Sequence, residues 1–416
     1  MADNENVNKI IEYNQIQKKN FKLKTQREIY SKIKRQVNLY GTKSLPNLLF
    51  LIGLRSTGKT TIMGTILQEY GAIYTSGDFL DLNKIDLDDV INVAKTSKTK
   101  IVLVDEIQYI KNWQLKLKVL VDLNPDILFL ISGSSALNTS DISADLIRRS
   151  RIYIIEPLSF REYLLIKNNF VFEDGSLINE ILFSDKNNNE KFVLLSKFYY
   201  TITKELKKEF EEYMKSSFPF MLTNYDSNII KEIIYKVIYV DIPKIGRFNT
   251  ENIDTLKKII HFIAIAERTS ITNLSKNTGT SKSMILKFLI LLEKARIIYS
   301  VESANPTKRL GDAKKYVLYS PNFRFALIDT EKTRAIGFSK EDFFVSVIRT
   351  LNHPIKYFYE ENKYDFLVNR QIFEIGSLSK KPKKHLNTNV IIIYNGELRF
   401  DGSNLYVPIE LFALII

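Results

Sequence analysis

Short, continuous apolar runs alternate with longer segments of helical periodicity through residues 25–165. The runs contain no charged side chain, which is the pattern of a strand buried on both faces. Between them, apolar residues recur at helical spacing, as at 25–39 and 86–94. Alternating strands and helices predict an α/β domain in which a parallel sheet is covered by helices on both faces. The predicted strands are 48–52, 72–75, 101–104, 127–131 and 152–155.

A glycine-containing turn follows the first predicted strand and precedes a predicted helix. Its sequence, Gly53-Leu54-Arg55-Ser56-Thr57-Gly58-Lys59-Thr60, has the spacing of a phosphate-binding P-loop. In such a loop backbone N–H groups face phosphate oxygens, the lysine neutralises the β- and γ-phosphates, and the next hydroxyl binds Mg²⁺. An ordinary glycine turn is the alternative, and the flanking strand and helix argue against it. The predicted nucleotide-binding residues are Gly53, Arg55, Ser56, Thr57, Gly58, Lys59, Thr60 and Thr61.

Acidic and hydroxyl side chains that follow two later strands extend this site. Asp105 and Glu106 follow the strand at 101–104. The first carboxylate can join Thr60 in a Mg²⁺ shell, and the second can polarise the attacking water. Ser132 follows the next strand, and its hydroxyl is a candidate contact of the γ-phosphate or of that water. Acids and turn-forming serines also end buried strands without a catalytic role.

Three arginines, Arg148, Arg149 and Arg151, precede the strand at 152–155. The planar guanidinium fork binds two phosphate oxygens, so one of these residues can stabilise a γ-phosphate, including that of a neighbour in an oligomer. A solvated cationic cluster is the alternative, which we favour for two of the three.

Three further motifs accompany the P-loop: Val104-Asp105-Glu106-Ile107-Gln108 followed by Trp113, Ser132-Gly133-Ser134-Ser135, and Pro157-Leu158-Ser159-Phe160-Arg161-Glu162-Tyr163. Together they make the run 49–163 resemble the AAA+ type ATPases of bacteria and archaea that carry an uncharacterised, nuclease-like C-terminal region. The resemblance implies a sheet in the AAA+ strand order, ATP as the ligand, and Arg149 as an arginine finger. Arg148 departs from the family, which usually has glycine at that position.

The chain beyond residue 165 predicts a helical lid or connector at 166–250 and a winged-helix domain at 251–335. In a winged helix the third helix and the wing can contact DNA, although such modules also bind proteins. The exposed candidates on the third helix are Lys282, Ser283 and Lys287, and those in the wing loop are Lys308, Arg309, Lys314 and Lys315.

The last predicted domain, 336–416, looks like a restriction endonuclease. Active members bind Mg²⁺ through an acid on one strand and Glu-x-Lys on the next. Asp365 and Glu374 match the acids, but Gly376 stands in place of the lysine and Lys363 replaces a further acid. A lysine beside a metal site opposes cation binding, so we expect a degenerate nuclease site. A second group of lysines leaves nucleic-acid binding open, with a solvated loop as the alternative: Lys380, Lys381, Lys383 and Lys384.

Composition narrows the class of protein. The 416 residues are 45% hydrophobic, carry a net charge of +13, and include no cysteine and three widely separated histidines. Disulfides and cysteine zinc sites are thereby excluded, and we expect no metal other than Mg²⁺ bound with nucleotide. The polar N-terminus and the lack of a long apolar segment predict a cytoplasmic protein with no membrane partner. The charge permits a polyanion partner, but the lysine-rich usage of an AT-rich genome gives the same value.

The N-terminal lead-in at 1–24 precedes the ATPase core at 25–165. Arg27, Lys32, Lys34 and Arg35 lie off the apolar face of the helix predicted at 25–39, which favours a solvated surface.

These observations predict an ATP-binding and ATP-hydrolysing switch whose nucleotide state moves a winged-helix and nuclease-like region. The alternative is a DNA-binding regulator or defence-system component in which ATP is a structural ligand, and an active nuclease is a third hypothesis. The expected partners are ATP and, left open, DNA or another nucleic acid, a protein partner or further copies of the chain.

Overall fold

Two sheets, one in each of two units, organise the computed structural model of this chain. The units are Met1–Pro157 and Leu158–Ile416. The structure describes residues 2–22, 25–40, 46–134, 142–223, 226–245, 250–266, 269–304, 314–328, 332–358, 364–376 and 389–416. The expectations for Ser135, Lys308, Arg309, Lys363, Lys380, Lys381, Lys383 and Lys384 lie outside these residues.

The first unit has the predicted alternation of strand and helix. Its strands are β1 (Leu48–Gly53), β2 (Ile73–Ser76), β3 (Ile101–Asp105), β4 (Leu128–Ser134) and β5 (Ser150–Ile154). Its helices are α1 (Ala2–Asn20), α2 (Glu28–Leu39), α3 (Lys59–Tyr70), α4 (Gly77–Asn83), α5 (Leu87–Thr96), α6 (Trp113–Leu123) and α7 (Ala144–Arg148).

The described strands of this unit pair in parallel in the order β2-β3-β4-β1-β5. The predicted parallel sheet is therefore confirmed. β1 continues into the P-loop and β3 ends at Asp105, with β4 between them. Because parallel strands end at one edge of the sheet, the P-loop and Asp105 lie at the same edge.

Both faces of this sheet are buried. Phe50 and Ile52 face a core that includes α5 and α6, whereas Leu49 and Leu51 face a core that includes α2 and α3. Burial on both faces explains why the strands are continuous apolar runs. The N-terminal lead-in is helix α1, whose Tyr13 ring stacks on Phe79 with the ring centroids 4.0 Å apart.

The second unit mixes helices with a larger sheet. Its strands are β6 (Ile298–Ser303), β7 (Lys314–Leu318), β8 (Ile355–Tyr357), β9 (Phe366–Val368), β10 (Gln371–Gly376), β11 (Val390–Tyr394), β12 (Arg399–Phe400) and β13 (Leu405–Pro408). Its helices are α8 (Phe160–Asn168), α9 (Gly175–Phe183), α10 (Asn188–Ser196), α11 (Lys204–Tyr213), α12 (Ser227–Lys236), α13 (Ile242–Ile245), α14 (Thr250–Ile265), α15 (Ile271–Thr278), α16 (Lys282–Lys294), α17 (Pro321–Leu327), α18 (Lys332–Thr350) and α19 (Ile409–Ala413).

One sheet joins the two predicted C-terminal domains. Its order is β12-β13-β11-β10-β9-β8-β6-β7 within the described ranges. The antiparallel hairpin of β6 and β7 follows helices α14 to α16, and β6 pairs with β8, which belongs to the last predicted domain. The helices predicted as a lid also belong to this unit, because Phe160, Ile178 and Phe210 share a core with Phe343 and Phe373.

No helix in the part of the chain that the structure describes combines the length and the apolar character needed to cross a bilayer.

Candidate nucleotide-binding site

The P-loop reverses the chain between β1 and α3 through two residues with positive φ, Ser56 at 64° and Gly58 at 94°. Gly53 is required for a different reason, since a Cβ there would lie 2.3 Å from the carbonyl oxygen of Ile155. Helix α3 then begins at Lys59. Its first N–H groups have no acceptor within the helix, so this end of α3 is suited to an anion.

The side chains of the loop differ in exposure. Ser56 and Thr60 are exposed, Arg55 and Thr61 are half-buried, and Thr57 is buried. The Thr57 hydroxyl donates to the carbonyl oxygen of Leu54 over 2.9 Å, which fixes the turn from inside.

Lys59 lies inside the loop. Its ammonium donates to the carbonyl oxygens of Gly53 at 3.1 Å and Leu54 at 2.8 Å, and the residue is buried. These bonds hold a positive charge within the turn, where phosphate oxygens can take the place of the carbonyl acceptors.

Asp105 is the centre of a hydrogen-bond cluster at the carboxyl edge of the sheet. Its Oδ2 accepts from the hydroxyls of Thr60 at 2.7 Å and Tyr74 at 3.0 Å, and its Oδ1 accepts from the Ser132 hydroxyl. The pairing of β3 with β4 brings Ser132 to this carboxylate. The structure thus brings together the predicted residues Thr60, Asp105 and Ser132.

The donor set around Asp105 fits Mg²⁺. A hydroxyl oxygen and a carboxylate oxygen are the hard ligands that this ion takes in nucleotide sites, with phosphates and water completing the shell. Within the described ranges, no group of three histidine, aspartate or glutamate side chains is arranged to hold a metal ion. Thr60 and Asp105 supply two oxygen ligands, so phosphates and water would complete the shell.

Glu106 follows in a strained backbone conformation, with φ at 50°. Its N–H donates to Asp105 Oδ1 at 3.1 Å and to the Ser132 oxygen at 3.0 Å, while its carboxylate accepts from the side-chain amide of Gln108. A non-glycine residue in the left-handed region has to be held by its surroundings. Ser132 supplies part of this support, so it acts here through Asp105 and Glu106.

Tyr74 was not identified from the sequence as part of the site. Burial is the main cause that raises the pKa of its phenol, and the nearby Asp105 charge adds to it, so the hydroxyl stays a donor to Asp105. The tyrosine lies two residues before Ser76, which pairs with Asp105. Alternation along β2 puts Tyr74 and Ser76 on one side of the sheet, a signal that the sequence contained.

Arg149 lies at the opposite edge of the sheet. Ser150 pairs with Leu48 at the start of β1, and the five residues from there to the P-loop span about 17 Å. The guanidinium donates to Asp122 Oδ1 at 2.9 Å and to the carbonyl oxygen of Asp145 at 3.0 Å. An arginine side chain does not bridge a separation of this size.

Arg27 is buried, with 7% of its surface exposed, so the expectation of a solvated side chain is wrong for it. Its guanidinium donates to the carbonyl oxygens of Thr57 at 2.7 Å and Glu156 at 2.8 Å. These contacts have no signature in the sequence, because residues distant along the chain supply both acceptors.

The predicted nuclease residues meet on the second sheet. Phe366 pairs with Phe373, which makes Asp365 and Glu374 cross-strand neighbours. Asp365 Oδ2 accepts from the N–H of Ile375 at 2.7 Å. Burial, together with the charges of Glu341 and Glu374, raises the pKa of Asp365 to about 7.

A lysine approaches these acids from another strand. Lys315 of β7 forms a buried ion pair with Glu341 of α18, and its charge opposes the rise in the pKa of Asp365. Lys315 is therefore not an exposed wing lysine, as the sequence suggested. Gly376, where Glu-x-Lys would place its lysine, ends β10.

Helix α16 exposes a mixed face. Lys282, Ser283 and Lys287 are exposed as predicted, but Leu286 and Ile290 are also 43% and 46% exposed on the same helix. Apolar side chains at this spacing are more typical of a protein contact than of a phosphate contact.

Comparison with known proteins found similarity to a family and to several individual proteins. Residues 46–164 match the AAA domain family. Two uncharacterised proteins of Methanocaldococcus jannaschii are similar, one 27% identical over 434 residues (93% of this chain and 89% of the relative), the other 29% identical over 298 residues (66% and 62%). A Walker-type ATPase of Pyrococcus abyssi is similar in structure, with a TM-score of 0.41 and 14% identity over 74% of this chain and 98% of the other. The family match covers the part of the chain that contains the P-loop and the parallel sheet.

Proposed function

We propose that this protein is a Mg²⁺-dependent ATPase that acts as a nucleotide-controlled switch. The observation that carries the proposal is the bond between Thr60 and Asp105, 2.7 Å long. It brings the hydroxyl at the start of α3 and the carboxylate at the end of β3 to one point, which is the arrangement that a P-loop ATPase uses for its metal ion.

The residues around this point have distinct roles in the proposal. The loop amides and Lys59 bind the β- and γ-phosphates, while Thr60 and Asp105 hold Mg²⁺, which neutralises phosphate charge when bound. Glu106 orients the attacking water and accepts its proton at the carboxylate. Ser132 and Tyr74 fix Asp105 through their hydroxyls.

In this proposal Arg149 contributes to ATP hydrolysis only when the protein forms an oligomer. Since it lies at the far edge of its own sheet, it stabilises the γ-phosphate of a neighbouring copy, as the AAA+ resemblance implies. The ion pair with Asp122 then has to open when the neighbour docks.

The second unit is the proposed output of the switch. The pairing of β6 with β8 supports movement of the winged-helix and nuclease-like segments as one body. The buried pair of Lys315 and Glu341 next to Asp365 supports a structural rather than a nucleolytic role for this region. The positive charge of Lys315 neutralises carboxylate charge that would otherwise attract a metal ion.

The test of ATPase function compares three variants of the full chain. Lys59→Ala should abolish ATP binding, Glu106→Gln should leave binding intact and slow turnover, and Lys95→Ala, an exposed lysine on α5, serves as the control. The measurements are the ATP dissociation constant and the rate of phosphate release with Mg²⁺. Unchanged ATP affinity in Lys59→Ala would overturn the site assignment, and full turnover in Glu106→Gln would remove its role as base.

A second candidate function is a DNA-binding regulator in which ATP is a structural ligand. The exposed Lys282 and Lys287 on α16 favour it, since lysine ammonium groups can contact phosphates. The exposed Leu286 and Ile290 of the same helix favour a protein contact instead. ATP turnover with and without duplex DNA separates the two functions: binding of DNA that is independent of nucleotide, without turnover, supports the regulator. Mg²⁺-dependent cleavage that Asp365→Ala and Glu374→Ala both abolish would support a nuclease instead.

A further inference from the structure

Arg27 connects the P-loop to the last residues of the ATPase unit. It caps the start of α2, and its guanidinium donates from Nη1 to the Thr57 carbonyl oxygen at 2.7 Å. Nη2 donates to the carbonyl oxygens of Glu156 at 2.8 Å and Pro157 at 3.5 Å. The first unit ends at Pro157. One side chain therefore bonds both the phosphate-binding turn and the segment where the chain leaves that unit.

These acceptors belong to the main chain. A guanidinium that is only 7% exposed has to keep its donors satisfied, because an unpaired buried charge costs more than the bond is worth. Because the acceptors are main-chain carbonyl oxygens, the geometry of these hydrogen bonds depends on the position of the backbone and not on the rotamer of a side chain. A rotation of the Thr57 peptide therefore moves the Arg27 guanidinium. Because the fork is rigid and planar, the same movement changes the bond to the Glu156 carbonyl oxygen.

The Thr57 carbonyl is well placed to control phosphate binding. A trans peptide unit is planar, so its carbonyl and the following N–H point in opposite directions. By holding the Thr57 oxygen, Arg27 turns the N–H of Gly58 away from itself. Gly58 has φ at 94°, a conformation in which successive loop amides can form an anion-binding concavity.

The other end of the connection is equally constrained. The N–H of Ile155 donates to the Ile52 carbonyl oxygen of β1 at 2.8 Å, and the Ile155 carbonyl oxygen lies where a Cβ on Gly53 would clash. Glu156 and Pro157 follow directly. The segment after β5 thus lies against the start of the P-loop, and Arg27 joins the two at a second point.

We propose that Arg27 is a positioning residue that presets the Gly58 amide for phosphate and transmits nucleotide occupancy to residues 156–157. The proposal rests on the proposed function, because it requires a nucleotide in the P-loop. It adds a path by which that nucleotide reaches the exit of the ATPase unit, through hydrogen bonds that the buried guanidinium makes at both ends.

The experiment compares Arg27→Met and Arg27→Lys with the wild-type full chain. Wild-type hydrogen exchange in peptides covering 150–163 should slow when a nonhydrolysable ATP analogue and Mg²⁺ are added. In Arg27→Met the ATP dissociation constant should rise about tenfold, roughly the effect of one charge-assisted bond. At saturating analogue the protection of 150–163 should be lost, while that of 101–110 remains. Arg27→Lys, which keeps the charge without the fork, should give an intermediate result.

The matched control is Lys34→Met, on the same helix, where an exposed pair with Glu69 should leave both measurements unchanged. Wild-type affinity and wild-type protection of 150–163 in Arg27→Met would overturn the proposal. If thermal melting shows that Arg27→Met does not fold, Arg27→Lys decides: full protection at saturation contradicts the proposal, and reduced protection with normal melting supports it. Failure of the ATPase function is distinguishable, because the analogue would then bind wild type and Lys59→Ala alike.

Discussion

Thr60 and Asp105 are 45 residues apart in the chain, and the Thr60 hydroxyl donates to Asp105 Oδ2 over 2.7 Å. The strands of a parallel sheet end at one edge, and this geometry brings the start of α3, which follows β1, to the end of β3 across β4. The bond is the point at which two separate sequence signals become one site. Two predictions test this site and the unit that contains it, and two test buried charges in the second unit.

Replacement of Asp105 should weaken the use of Mg²⁺ in ATP turnover. Asp105→Asn keeps the size and the acceptor for Thr60 but removes the charge that holds Mg²⁺, so turnover should fall by about 10²-fold or more. A Mg²⁺ titration of phosphate release measures the effect. Asp88→Asn, an exposed aspartate on α5, is the control. Wild-type turnover at equal Mg²⁺ in Asp105→Asn would contradict the role.

A methyl group at Gly53 should destabilise the first unit. It would lie 2.3 Å from the Ile155 carbonyl oxygen, and forcing backbone apart in a packed sheet costs about 1–3 kcal/mol. Gly337→Ala on α18 is the matched control, because its Cβ meets no atom within 4 Å and alanine favours a helix by up to about 1 kcal/mol. Urea unfolding measures both changes, and equal midpoints for Gly53→Ala and wild type would refute the clash.

Loss of one partner in the buried pair Arg324–Asp342 should be strongly destabilising. Arg324 Nε lies 2.6 Å from Asp342 Oδ2, and burial raises the pKa of Asp342 although the arginine opposes the rise. Arg324→Leu leaves a carboxylate without its cation, at a cost of about 3–5 kcal/mol.

The exposed pair Lys116–Asp86, with 2.7 Å between Nζ and Oδ2, provides the comparison for Arg324→Leu. Lys116→Met should cost less than about 1 kcal/mol, because solvent screens both charges. Denaturant unfolding of each variant gives the two values, and similar costs would show that burial does not decide the difference.

Lys191 should make the second unit more stable in alkali. Burial lowers the pKa of its ammonium from 10.5 to about 8, with Asp185 opposing. Between these two pKa values the unfolded chain binds a proton at Lys191 that the folded chain does not bind, so the free energy of unfolding rises with pH. Below the folded pKa the lysine is charged in both states, and its burial then costs the folded state stability. Stability from this group should therefore rise between about pH 8 and 10.5.

Lys191→Met should remove that slope and stabilise the protein near pH 7 by an amount on the order of 1–2 kcal/mol. Urea midpoints between pH 7 and 10 measure the profile, with the exposed Lys186→Met as control. If the rise of the urea midpoint with pH persists in Lys191→Met, groups other than Lys191 cause it.

Much of the first unit was predictable, because each signal was local. Apolar runs such as 48–52 mark strands buried on both faces, and the P-loop spacing marks a phosphate site whatever its neighbours are. Arg27 shows where such reasoning ends. Its helical position indicated solvent, but its acceptors at Thr57 and Glu156 are contributed by segments that only the fold brings near.

The second unit was less predictable for the same reason. The sequence predicts strands at Asp365 and Glu374, and β9 begins directly after Asp365 while β10 contains Glu374. The lysine near them, Lys315, comes from a hairpin about fifty residues earlier. The pairing of β6 with β8 has no sequence signature, because register between strands depends on which faces are buried.

The sequence by itself determined the phosphate-binding loop, the acids at the end of β3 and the parallel α/β character of the first unit. These follow from hydrophobic periodicity and residue chemistry within short windows. Tertiary structure alone decided that Ser132 and Tyr74 fix Asp105, that Arg149 lies beside the start of β1 and not its P-loop end, and that Arg27 bridges the loop to Glu156. The physical reason is that strand order, register and burial set distances between residues remote in the chain.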